Sequence, residues 1–155
     1  MPVEIERKFL LKHDSWRQHI QHSSRIRQGY LGAIAKASVR IRIEGDKANI
    51  NIKSAELSMR RMEYEYAIPL DEASEMLDKL CESPQIDKFR HLVKHGDHTW
   101  EIDEFFGDNA GLIVAEIELS AEDEVFDLPP WAGEDVTQDP RYYNVNLVKH
   151  PFKNW

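Results

Sequence analysis

The chain has 155 residues, 41% of them apolar, enough for one domain with a proper core, and no second domain is expected. Its 28 acidic residues outnumber 20 Lys and Arg, a net charge of −8 that disfavours nucleic acid and anionic membranes as partners unless the bases are gathered in one place. Cys81 is the lone cysteine, so no internal disulfide forms, and the absence of a long apolar stretch or signal-like start makes a cytoplasmic protein the expectation.

In chain order, the run Val3 to Leu11 alternates as a strand, with Glu4, Glu6 and Lys8 on one face and Ile5, Arg7 and Phe9 on the other. A short helix over 15–20, capped by Asp14, precedes a strand from Arg25 to Leu31. Strands follow at Ser38 to Glu44, Asn49 to Ser54 and Arg60 to Ile68, the first two joined across a Gly45-Asp46 turn. Pro69 ends this series, and an amphipathic helix runs from Asp71 to Leu80 with Leu70, Met76, Leu77 and Leu80 facing inward. Ile86 to Val93, Thr99 to Phe106 and Leu112 to Leu119 complete eight antiparallel strands, with turns at Gly96-Asp97 and Gly107-Asp108-Asn109. Residues 121–155 read as short helices and ordered coil packed on the sheet.

Most strands carry like charges two apart, and therefore on one face. Acids pair as Glu4 and Glu6, Glu63 and Glu65, Glu101 and Asp103, and Glu116 and Glu118; bases pair as Arg40 and Arg42, and Lys88 and Arg90, with Lys8, Lys53 and Arg61 joining by phase. Any one pair suits the wet face of a half-buried sheet. Repeated on so many strands, like-charge doublets repel along and across the ladder and need compensation. Divalent cations would compensate the acids and a polyanion the bases, and closing the sheet into a barrel would gather both around one lumen. If all fifteen residues point inward, eight acids and seven bases leave −1, and 20 acids against 13 bases lie elsewhere. Two divalent ions would raise the lumen to about +3, a host for a triphosphate of roughly −4.

Glu4-Ile5-Glu6-Arg7-Lys8 resembles the ExExK signature of the CYTH superfamily, the triphosphate tunnel metalloenzymes. Val39-Arg40-Ile41-Arg42, Lys53, Arg61-Met62-Glu63-Tyr64-Glu65, Lys88-Phe89-Arg90, Trp100-Glu101-Ile102-Asp103 and Ala115-Glu116-Ile117-Glu118 follow in that family's order. The tail is similar to the family's short bacterial, inorganic triphosphatase-like branch in Trp131-Ala132-Gly133, Val136-Thr137 and Arg141-Tyr142-Tyr143-Asn144. Asp135 departs from it, standing where Glu is expected before Val-Thr. The resemblance covers the whole chain and implies a single 1–155 domain of α+β, mainly β class: an eight-stranded antiparallel barrel with helices outside and a C-terminal helical segment near one mouth.

It further implies metal-dependent hydrolysis of a triphosphate, with inorganic tripolyphosphate giving pyrophosphate and phosphate as the leading substrate and Mg2+ or Mn2+, two ions, as cofactor. Adenylate cyclase, thiamine triphosphatase and a non-catalytic polyphosphate-binding module are the alternatives. On this reading Glu4, Glu6, Glu116 and Glu118 hold the metal that bridges phosphate oxygens, and Glu63, Glu65, Glu101 and Asp103 support a second ion or pair with Arg61 or Lys88. Lys8, Arg40, Arg42, Lys53, Arg61, Lys88 and Arg90 bind phosphate, and Lys8 with Tyr30 assists proton transfer. His91 and His95 are expected on the surface rather than as a zinc pair, and Trp131, Tyr142, Tyr143, Phe152 and Trp155 as packing. No GxxxxGK[ST] loop is present, which excludes a P-loop mechanism. The expected partner is a small-molecule triphosphate, without nucleic acid or membrane, for a monomer or homodimer.

Overall fold

A computed structural model describes residues 2–56 and 58–155. Among them no helix is long and apolar enough to cross a membrane. The chain forms β1 (Val3–Leu11), β2 (Ile20–Ala33), β3 (Ala37–Glu44), β4 (Lys47–Ser54) and β5 (Arg60–Ala67), then α1 (Leu70–Lys79). It continues with β6 (Ile86–His95), β7 (His98–Phe105), β8 (Ile113–Glu118), a ninth strand β9 (Ala132–Asp135) and α2 (Asn144–Lys149), with short 3-10 turns between elements. The strand order is β5-β4-β3-β2-β6-β7-β8-β1-β9, and β5 also pairs with β1, so the first eight strands close into an antiparallel barrel.

Closure is concentrated in β1. Its residues 3–5 pair with β5, and farther along the same edge Phe9 and Leu11 pair with β9. Its other edge carries β8 over Glu6 to Phe9. The expected two-residue hairpins are present, Glu44 facing Lys47 and His95 facing His98, with Gly45 and Gly96 in the left-handed region at φ 61° and 62° that glycine adopts without steric cost.

Three expectations need correction. The second strand spans 14 residues rather than seven, because its polar first half, which shows no alternation, is recruited by pairing with β6 from Val93 back to Ile86. The tail adds β9, whose four residues are too short for a periodic signal. On α1 the buried residues are Ala73 and Leu77; Leu70 and Leu80 are exposed because each lies at an end of the helix, beyond its contact with the sheet.

The apolar core lies mainly outside the barrel. Outward residues of β1, β7 and β8, among them Ile5, Phe9, Trp100, Ile102 and Ile117, are covered by Trp16 and Trp131, and α1 covers Ile41 and Ala48 with Ala73 and Leu77. Gly29 on β2 allows that approach: a Cβ there would stand 2.9 Å from Cys81 Cβ and 3.1 Å from Leu77 Cδ2. Gly29→Ala is accordingly expected to lose about 1–3 kcal/mol of stability in urea unfolding, by overpacking. A third cluster joins inward-facing Tyr30, Ile86, Phe105 and Val114 to Tyr142, Leu147 and Val148, so the C-terminal segment packs on an apolar ring within the barrel and leaves the charged positions as its lumen.

Candidate active site

Strand parity brings the charged positions together. Twelve of the fifteen line one cavity inside the barrel: Glu4, Glu6, Lys8, Arg40, Arg42, Lys53, Arg61, Glu63, Lys88, Arg90, Glu101 and Glu116, with Tyr30 beside them. Seven bases and five acids give this wall a formal charge of +2, inside a chain of −8. Asp103, Glu65 and Glu118 lie off the wall. Asp103 is fully buried behind it, Glu65 is exposed and accepts a 3.3 Å bond from Asn51, and Glu118 is exposed opposite Glu6 in the ladder.

Most bases are matched to acids. Lys8 Nζ lies 2.7 Å from Glu116 and 3.3 Å from Glu6, and Lys53 Nζ lies 2.8 Å from Glu4 and 3.5 Å from Glu63. Arg90 forks onto Asp103 at 2.8 and 2.9 Å and reaches Glu101 at 3.0 Å, while Lys88 takes Asp103 at 2.8 Å. Arg61 approaches Glu6 at 3.8 Å. Arg40 and Arg42 differ: among the described residues neither has a carboxylate within ion-pair distance, although only 7% and 9% of their surfaces are exposed. Arg42 donates Nε–H to Gln28 at 2.9 Å, and Arg40 Nε is buried without a hydrogen-bond partner.

The electrostatics follow from this imbalance. Burial, with Arg40 and Arg90 adding repulsion, lowers the Arg42 guanidinium to about 10. Burial also brings Lys88 down to about 7 despite Asp103. Burial opposes charge on Lys8 too, but there Glu116 and Glu6 prevail and hold it above its ordinary value. On the acid side, burial and the charge of Glu116 push Glu6 up to about 7, and burial with neighbouring acids raises Glu101 and Glu118. A raised Glu6 stabilises the fold when protonated: its contribution is complete below about 4.5 and lost as pH rises to about 7. The stability advantage of Glu6→Gln over the parent, read by thermal unfolding without metal, is expected to grow across that window.

The acids that resist ionisation meet one test for a divalent cation, since hard oxygen donors crowded together are stabilised by positive charge. In this arrangement no three acids or histidines converge as a ready cation site among the described residues; Lys8 and Lys53 occupy carboxylate oxygens that a cation would take.

The tail contributes more than packing. Tyr143 and Asn144 line the lumen. The Tyr143 ring lies 4.9 Å from both Lys8 Nζ and Arg61 Cζ, and its hydroxyl donates to the Thr137 carbonyl at 2.7 Å. The aromatic ring over Lys8 is thus Tyr143, with Tyr30 elsewhere on the wall. Only the Arg-Tyr-Tyr-Asn run could have marked these two residues, because the tail has no strand parity to assign a face. Asp135 grips Arg7 through Nε at 3.1 Å and accepts from Thr137 N at 2.9 Å; Thr137 Oγ1 in turn accepts from the backbone of Lys8 at 3.0 Å. The shorter carboxylate therefore secures the tail behind Lys8 from outside the lumen. His91 is buried rather than at the surface: on the barrel's outer side it bonds Ser23 at 2.7 Å and Glu104 at 3.1 Å, where Arg17 also grips Glu104.

Residues 2–150 match the CYTH domain family. An inorganic triphosphatase of Acetivibrio thermocellus is 46% identical over 155 residues, covering 100% of this chain and 99% of the relative. One from Nitrosomonas europaea is 37% identical over 150 residues, covering 94% and 97%. The crystal structure of the inorganic triphosphatase NE1496 superposes with a TM-score of 0.67 at 35% identity, covering 96% of this chain and 95% of that one. With the family match spanning nearly its whole length and a closed, charge-lined barrel as its fold, this chain belongs to the CYTH domain family.

Proposed function

We propose that the chain is a divalent-metal-dependent inorganic triphosphatase that cleaves tripolyphosphate to pyrophosphate and orthophosphate. The observation that carries this reading is the pair Arg40 and Arg42, two buried guanidiniums with no carboxylate within ion-pair distance among the described residues, on a wall of formal charge +2. Buried charge is costly unless matched, and a polyanion matches it with bidentate bonds to guanidinium forks. The two relatives named inorganic triphosphatase support the activity. The wall's apolar surfaces are those of Tyr30, Tyr143 and Val145, and the Tyr143 ring already faces Lys8 and Arg61, which favours an inorganic chain over a nucleotide or thiamine ester.

Glu4, Glu6, Glu116 and Glu118, with Glu63, Glu65 and Glu101 as outer support, would hold Mg2+ or Mn2+, two ions, whose chemistry is to neutralise phosphate oxygens and acidify water. Arg40 and Arg42, with Lys53, Arg61, Lys88 and Arg90, clamp phosphate oxygens within the barrel, where the surrounding protein strengthens such bonds. Asp103 aims Lys88 and Arg90, since both of its oxygens are taken by them. Lys8 and Tyr30 are assigned to the attacking water's proton; Lys8 yields its own only when Glu116 and Glu6 are engaged elsewhere. A bond forms from water oxygen to the terminal phosphorus, the bridging P–O bond breaks, and pyrophosphate leaves. The lone Cys81 suits the cytoplasm, where small phosphate esters and anhydrides are handled.

The test is purified protein with Mg2+ or Mn2+ and, in turn, tripolyphosphate, ATP and thiamine triphosphate, with orthophosphate and pyrophosphate measured separately. Fastest turnover of tripolyphosphate, with the two products in equal amounts, is expected. Pyrophosphate from ATP without orthophosphate would instead indicate a cyclase, and no turnover of any substrate a binding module.

A further inference from the structure

Two of the clamps face each other across β2 without touching: Arg42 on β3 and Lys88 on β6. They are joined through the tail. Arg42 donates Nε–H to Gln28 Oε1 at 2.9 Å, and Gln28 donates from Nε2 to Asn144 Oδ1 at 2.9 Å. Lys88 Nζ donates to that same Asn144 oxygen at 2.9 Å. Gln28 and Lys88 are fully buried, so the Arg42–Gln28 bond is shielded from water, while the half-buried Asn144 meets them at the edge of the lumen.

We propose that Asn144 is a positioning residue for polyanion binding, terminating a relay that aims Arg42 and Lys88 together. This rests on the triphosphatase reading of the lumen. The direction of the relay is dictated by its ends, because guanidinium and ammonium groups only donate. Lys88 therefore requires the oxygen of Asn144, that oxygen requires the amino group of Gln28, and the Gln28 oxygen is left for Arg42. Neither amide can flip without setting donor against donor. The same count shows what is left for substrate. When charged, Lys88 has three N–H groups, and Asp103 and Asn144 take two; Arg42 spends Nε–H on Gln28 and keeps its terminal N–H groups, which have no carboxylate partner among the described residues. A neutral acceptor suits the position, since a second carboxylate beside Asp103 would compete with phosphate for Lys88.

The test has a structural arm and a kinetic arm. In ligand-free protein labelled with 15N, Asn144→Ala is expected to shift or broaden the Arg42 Nε–H resonance; Asn144→Asp, which keeps an acceptor, restores it. With tripolyphosphate, Asn144→Ala is expected to lower kcat/KM by about 10–100-fold, mainly through KM, as misaimed binding groups do. Asn144→Asp raises KM as well, despite its intact relay, because of its charge. Adding Gln28→Ala to Asn144→Ala costs little more, because the two act in series. An Arg42 resonance that ignores Asn144→Ala, or an unchanged KM in an enzyme that hydrolyses tripolyphosphate, overturns the proposal. If the parent protein hydrolyses no triphosphate, the functional reading fails, while the Arg42 resonance still decides whether the relay exists.

Discussion

Arg40→Ala is expected to lower kcat/KM for tripolyphosphate by about 10²–10³-fold, the usual effect of deleting one preorganised charge-stabilising donor, while the ligand-free protein stays as stable as the parent or gains stability. The separation follows from Arg40's lack of partners. Its guanidinium is buried, Nε finds no acceptor, and among the described residues no carboxylate lies within ion-pair distance, Glu63 feeling its charge only from farther away, so in the free protein its desolvation is only partly compensated. Lys53→Ala provides the contrast: it lies between Glu4 at 2.8 Å and Glu63 at 3.5 Å, and its loss leaves two acids facing each other. Steady-state kinetics and thermal unfolding, measured on both variants, read the difference. A loss of stability in Arg40→Ala as large as in Lys53→Ala would contradict the assignment of Arg40 to an absent anion.

Asp103→Ala should show the opposite balance, an effect on the fold before any on chemistry. Removing one member of a buried charge cluster strands the others, at a cost of about 3–5 kcal/mol. For a domain of this size that is a fall in Tm of on the order of 10 °C. Lys88, already brought down to about 7, can shed its proton when Asp103 is gone, so most of the loss falls on Arg90, whose fork keeps, among the described residues, Glu101 and a distant Glu116. Glu118→Ala, at the exposed end of β8, should move Tm by little in metal-free protein and instead weaken the response to Mn2+. Equal losses of stability in the two variants would count against treating Asp103 as a brace and Glu118 as a metal-facing group.

Asp103 and Glu118 differ in register and burial, not in local pattern. Period-two alternation with charges two apart is a local property, so it identified the inward face of seven strands and with it twelve wall residues. It could not say which acids were already committed. Glu101 and Asp103 look alike in sequence, yet Asp103 disappears behind Lys88 and Arg90 because β6 and β7 set Arg90 opposite Asp103. Register is a tertiary fact. The polar start of β2 is a strand only through β6, and the four residues of β9 only through β1. Tyr143 and Asn144 were hidden for the same reason: the tail reaches the lumen by packing Leu147 and Val148 on the inward ring of Tyr30, Ile86, Phe105 and Val114, a contact between segments far apart in sequence.

The closed barrel matters because it places unmatched guanidiniums and crowded carboxylates around one space. Crystals grown with Mn2+ and tripolyphosphate, made unreactive by Lys8→Ala, test this most directly through anomalous scattering and phosphate density. Phosphate oxygens on Arg40 and Arg42, with manganese against Glu4, Glu6, Glu116 and Glu118, is the expected result. Density confined to the outer surface, with an empty lumen at saturating ligand, would contradict it.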